Sequence, residues 1–153
     1  MSPPAHIRLD DSHWPLLVIR YEGTATDEEV ARALTASGRC LERDEPCVII
    51  HDMSRASEVG ALTQRHLQAE WLRRHDARLR QWVLGIAFVT NSAALRLMVS
   101  LLMHLKPLVP HKTFPHLPEA VSWVAHQFPQ PGIQSQAREL LAHPDGDGAS
   151  PVT

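Results

Sequence analysis

The chain has 153 residues, enough for one domain whose core needs neither a metal nor a disulfide to hold it. Hydrophobic residues make up 44% and charged residues 21%, which excludes disordered, collagen-like and fibrous classes. Fifteen Lys+Arg oppose 17 Asp+Glu for a formal charge of −2, so no whole-molecule field draws the chain to nucleic acid or to an acidic membrane.

Residues 1–6 lack the basic region and apolar stretch of a secretory signal, and the two cysteines, Cys40 and Cys47, are expected to be reduced in a cytoplasmic protein. Ile7 to Asp10 alternates at period two, and residues 14–21 follow after the turn formers Asp11, Ser12 and His13. This pattern predicts an antiparallel hairpin. Thr26 and Glu29 form a capping box at the start of a helix that buries Val30, Ala33, Leu34 and Leu41 and ends before Pro46. The β-branched run at 47–50 predicts a central strand covered on both faces.

A second helix is expected over 60–80, with Leu62, Ala69, Leu72 and Leu79 on one face. Residues 83–89 read as another buried strand, and Thr90, Asn91 and Ser92 offer caps for a third helix. In that helix Ser92, Arg96, Ser100 and His104 make one narrow polar line, while nearly everything else from Ala93 to Leu105 is apolar. At 13 residues with Arg96 and His104 inside, it is too short and too polar to span a bilayer, which takes about 20 apolar residues. Pro107 and Pro110 stop it. Residues 112–114 predict a short last strand, followed by a helix that starts near Pro118 and buries Leu117, Ala120, Val121, Val124 and Phe128. Residues 129–153 are rich in Pro, Gly and Asp and predict a partly disordered tail with one short helix around 136–142.

The order ββαβαβαβα implies a single α/β domain over 1–128, with one mixed sheet of about five strands, mostly parallel with an antiparallel edge strand. Several stretches bear a specific resemblance: Val48-Ile49-Ile50-His51-Asp52-Met53-Ser54, Ala69-Glu70-Trp71-Leu72, Gly85-Ile86-Ala87-Phe88-Val89, Arg96, Phe114 and Glu119-Ala120-Val121-Ser122-Trp123. In their order and spacing over 5–128, these residues resemble the bacterial SpoIIAA-like family, of STAS and CRAL-TRIO type fold. The resemblance implies a non-catalytic, protein-binding regulator, in which a serine at a helix start after a strand-end aspartate is phosphorylated. Asp52 matches that acid, but the family's Asp-Ser-Ser-Gly is replaced by Met53-Ser54-Arg55-Ala56-Ser57-Glu58, leaving Ser54 and Ser57 as the nearby hydroxyls. CRAL-TRIO relatives hold lipids beneath a helix, and the apolar helix from Ala93 would be its counterpart.

Ligands of open α/β sheets favour the crevice beyond the carboxyl ends of the strands, which would gather His51, Asp52, Ser54, Thr90 and Asn91, with Arg96 close by. The same residues serve equally as caps and turn formers. Arg65, Arg73, Arg74, Arg78 and Arg80 crowd the second helix, and Trp71 in line with Arg74 and Arg78 reads as an interface surface or as a solvated face. Leu97, Leu101 and Met103 are candidates for a homodimer contact, unless the segment from Gln134 folds back over them. No HExxH or Cys-x-x-Cys spacing, nucleophile elbow or phosphate-cradling glycine motif occurs, so no metal, cofactor or nucleic-acid partner is expected. The expected function is protein binding. The alternative is a small enzyme, or a carrier of a lipid or other small apolar ligand, using the crevice at His51 and Asp52.

Overall fold

The computed structural model describes residues 6–57, 62–105 and 109–143. The elements are β1 (Ile7–Asp10), β2 (Leu16–Gly23), α1 (Asp27–Leu41), β3 (Cys47–Ala56), α2 (Leu62–Arg74), α3 (Asp76–Trp82), β4 (Val83–Val89), α4 (Ala93–Leu105), β5 (His111–Phe114), α5 (Leu117–Gln127) and α6 (Pro131–Ala142). The five strands lie in chain order across one sheet. β1 pairs antiparallel with β2, and β2 through β5 are parallel. The fold is thus the mixed α/β sheet expected.

Strands added one after another in one direction, each through a right-handed crossover, place every crossover helix on the same face. Accordingly Leu17, Ile19, Ile49, Ile86 and Phe88 form one cluster with Val30 and Leu41 of α1, Leu79 of α3, and Leu95, Val99 and Met103 of α4. The opposite face, with Leu16, Val18, Val48, Ile50, Ala87 and Val89, is left for whatever follows β5. α5 covers it with Ala120, Val121 and Val124, and α6 with Ile133, Ala137 and Leu140.

That division corrects the reading of residues 129–143 as a tail. α6 begins at Pro131, several residues before the expected short helix, and its Ile133, Ala137 and Leu140 are among the least exposed side chains of the molecule. It also overturns the idea that this segment folds over α4, because the two helices lie on opposite faces of the sheet. Helical spacing alone cannot show which face a segment will cover, and the proline- and glycine-rich approach to α6 obscured its start.

Two further expectations change. The long second helix breaks at His75 into α2 and α3. The His75 ring stacks on Trp71 at 4.5 Å between centroids, its Nδ1 meets the Trp71 carbonyl at 3.0 Å, and it presses on Gly38 of α1, where an added Cβ would lie 3.0 Å from Nε2. Leu72, expected in the core, is only half-buried, whereas Ile49, Ile86, Phe88 and Val121 are buried. The Thr26–Glu29 capping box forms as its sequence requires. Gly60, Glu58, Pro107, the Leu62 side chain and the chain beyond His143 lie outside the described residues.

Candidate functional site

His51 and Asp52 are adjacent in β3, and successive side chains of a strand point to opposite faces. The imidazole therefore joins the α1–α4 side, directly across from Ile19 and Phe88, while the carboxylate lies on the α5–α6 side, opposite Arg20. They cannot act on one substrate atom from one crevice. This is the main correction to the site expected from the sequence.

On its own face His51 has company that spacing did not disclose. Its ring stacks on Phe88 with centroids 5.2 Å apart and planes within 9°, and its Nδ1 lies 2.8 Å from the Tyr21 hydroxyl. Tyr21 is the chain's single tyrosine, two residues along β2 from Ile19 and so on the same face. That alternation was the available signal. Burial pushes the His51 pKa down to about 4 and pushes the Tyr21 phenol up, so at neutral pH both groups are uncharged. A neutral Tyr–His pair can exchange a hydrogen bond with a polar group but holds no charge with which to bind an ion.

Asp52 acts as a local cap. Its Oδ1 accepts from the Ser54 amide at 3.1 Å and from the Ser54 hydroxyl at 2.6 Å. β3 runs on to Ala56, so Ser54 stands within a strand and no described helix begins at it or at Ser57. The arrangement repeats at Asp10, which accepts from the Ser12 amide and hydroxyl and pairs with Arg20 at 3.0 Å. Burial of Asp10 acts to raise its pKa, but these bonds outweigh it and hold the carboxyl below its usual range.

Thr90 is buried, and its Oγ1 accepts from the Ser92 amide while its own amide donates to the Phe114 carbonyl. Ser92 in turn caps α4 by accepting from the Leu95 amide at 3.2 Å. Asn91 and Arg96 are exposed. Of the six candidate residues, then, His51 stands alone on its face, Asp52, Ser54 and Thr90 are satisfied by bonds to near neighbours in sequence, and Asn91 and Arg96 face solvent.

The arginine-and-tryptophan surface also divides. Arg74 pairs with Glu70 on α2, while Arg78, beyond the break, reaches the Asp44 carboxylate at 3.0 Å and the Leu41 carbonyl at 3.4 Å at the end of α1. Trp71 is half-buried against the α1–α4 cluster, and its buried Nε1 has no hydrogen-bond partner among the described residues. Leu97 and Leu101 do stand out, 62% and 57% exposed, but Met103 is buried and leaves the candidate interface.

Burial pushes the Cys47 thiol up to about 12 and raises Cys40, so neither is disposed to nucleophilic chemistry. Among the described residues no three His, Cys, Asp or Glu side chains converge as a metal site, and no helix is long and apolar enough to cross a membrane.

No family model and no curated protein matches the chain. Among solved structures, it is similar to an uncharacterised protein of the DUF3478 family with a SpoIIAA-like fold from Shewanella loihica PV-4. The two share 16% identity over 80% of this chain and 98% of that one, with a TM-score of 0.60. The fold of the chain is SpoIIAA-like.

Proposed function

We propose that the chain is a non-catalytic binding module, regulatory in the manner of STAS domains and cytoplasmic, that acts through protein contact on the outward face of α4. The observation that carries this reading is the exposure of Leu97 and Leu101, with Leu102 beside them, on a helix that already spends Leu95, Val99 and Met103 on its own core. One helix with two apolar faces has one more than its domain uses. Arg96, Ser100 and His104 supply a polar border to the strip. A second copy of the chain is the partner we favour, since twofold pairs are the commonest homo-oligomers. Sedimentation velocity over a concentration series should show a dimer that Leu97→Asp with Leu101→Asp converts to monomer. A wild-type protein monomeric throughout would overturn the reading.

One observation favours a second reading, carriage of a small apolar molecule. A buried indole N–H normally finds a partner, yet Trp71 Nε1 has none among the described residues, and it packs against the same cluster as Tyr21, the partner of His51. Native mass spectrometry of freshly purified protein should then show an added mass that Trp71→Phe reduces.

A further inference from the structure

At the end of the sheet opposite the expected crevice, the turn between β1 and β2 meets α6 and frames a cleft of about 400 Å³, within the range of small-molecule sites. Ser12 and His13 line it from the turn, and Gln136, Glu139 and His143 from one side of α6, at helical spacing. We propose that this cleft binds a small organic cation bearing an ammonium or guanidinium group.

The direction of each hydrogen bond at the cleft supports that class of ligand. His13 is only 8% exposed, and its Nδ1 lies 3.3 Å from Gln136 Oε1. An amide oxygen can only accept, so Nδ1 carries a proton towards it, which leaves Nε2 as the ring atom able to accept from a ligand. That nitrogen has no hydrogen-bond partner among the described residues, and His13 is one of the residues that line the cleft. The Ser12 hydroxyl donates its hydrogen to the Asp10 carboxylate, which leaves its oxygen lone pairs outward. Glu139 adds a carboxylate, and among the described residues no lysine or arginine lines the space to neutralise it.

Beside the Gln136 amide and the His143 ring, which can donate as well as accept, the cleft thus offers the Ser12 oxygen, the His13 Nε2 and the negative charge of Glu139. A donor-rich cation satisfies all of them, and charge-assisted bonds to a carboxylate are the stronger kind. An anion would meet Glu139 and two lone pairs. A metal ion is not served either, because no three potential ligands among the described residues converge to hold one.

Agmatine, which carries an amine and a guanidinium, is the probe, titrated into the full-length chain by calorimetry, with butyrate as the anionic control. Agmatine should bind saturably and butyrate should not. Glu139→Gln, at an exposed position where folding is spared, should weaken agmatine about 10- to 100-fold. Nitrogen NMR of the histidine rings should show His13 protonated at Nδ1. A Gly-Arg-Gly peptide in place of agmatine tells the two sources of the group apart: tighter binding of the peptide assigns the cleft to an arginine side chain on a partner, tighter binding of agmatine to a free amine. Failure of both to bind, equal binding of butyrate, indifference to Glu139→Gln, or His13 protonated at Nε2 would each overturn the proposal, and none bears on the α4 contact.

Discussion

The Tyr21 hydroxyl sits 2.8 Å from His51 Nδ1, and the His51 ring lies flat against Phe88, so this polar pair is bonded within itself and backed by an aromatic ring. The pair's worth to the fold can be measured. Tyr21→Phe removes only an oxygen and strands the imidazole nitrogen, which should cost about 1–3 kcal/mol in chemical denaturation at neutral pH. An unchanged midpoint would show that water replaces the hydroxyl.

His51 also sets a pH dependence. Its pKa is pushed down from 6.5 to about 4, so above pH 6.5 neither folded nor unfolded chain holds the proton and the group is neutral to stability. As pH falls from 6.5 to 4 the unfolded chain takes up a proton the folded chain refuses, and stability should drop by up to about 1.4 kcal/mol per pH unit. Denaturation midpoints across that window should flatten in His51→Gln, which keeps a partner for Tyr21 but does not titrate.

Glu29 governs a lower window. It caps α1 and takes the His6 amide and ring nitrogen, each at 3.0 Å, and these bonds, the His6 side chain first, hold its pKa down to about 2 from 4.5. Its contribution is present in full above pH 4.5 and is lost as pH falls towards 2. Glu29→Gln should reduce the acid slope in that range and leave the slope between 6.5 and 4.5 unchanged.

Gly85 is required for want of space. A Cβ there would fall 2.3 Å from Phe128 Cζ and 3.2 Å from the Pro110 carbonyl oxygen. Gly85→Ala should lower stability by about 1–3 kcal/mol, and adding Phe128→Leu should recover part of the loss by thermal unfolding.

α6 should behave as core. Leu140→Ala deletes a fully buried side chain and should cost about 2–5 kcal/mol, as large-to-small changes do in packed interiors. A loss below about 0.5 kcal/mol, the range of surface changes, would return the segment to the status of a tail.

The sheet was legible because its signals are local: the alternation at Ile7–Asp10, the capping box at Thr26, and the β-branched run at 47–50 each bias their own segment. The site was not, because it depends on which face a residue takes. His51 and Asp52 look like a pair in sequence and are separated by the pleat, whereas Tyr21 and His51, 30 positions apart, are brought together by the same pleat. The length of β3 had the same effect on Ser54, which the extension to Ala56 moved from a helix start into a strand. Leu97 and Leu101 were the exception. Their apolar excess was visible because an exposed helix needs only its own period to be read.

β2 is the second element to be made and the last to be finished. One side of it meets β3 and α1 early, but Leu16 and Val18 on the other are roofed by Ile133, Ala137 and Leu140, from the far end of the chain. During synthesis that apolar strip of β2 therefore stays bare until α6 has been made. This layer thus cannot close strand by strand as β2 and β3 appear, and a chain cut before Pro131 would leave Leu16 and Val18 without their cover.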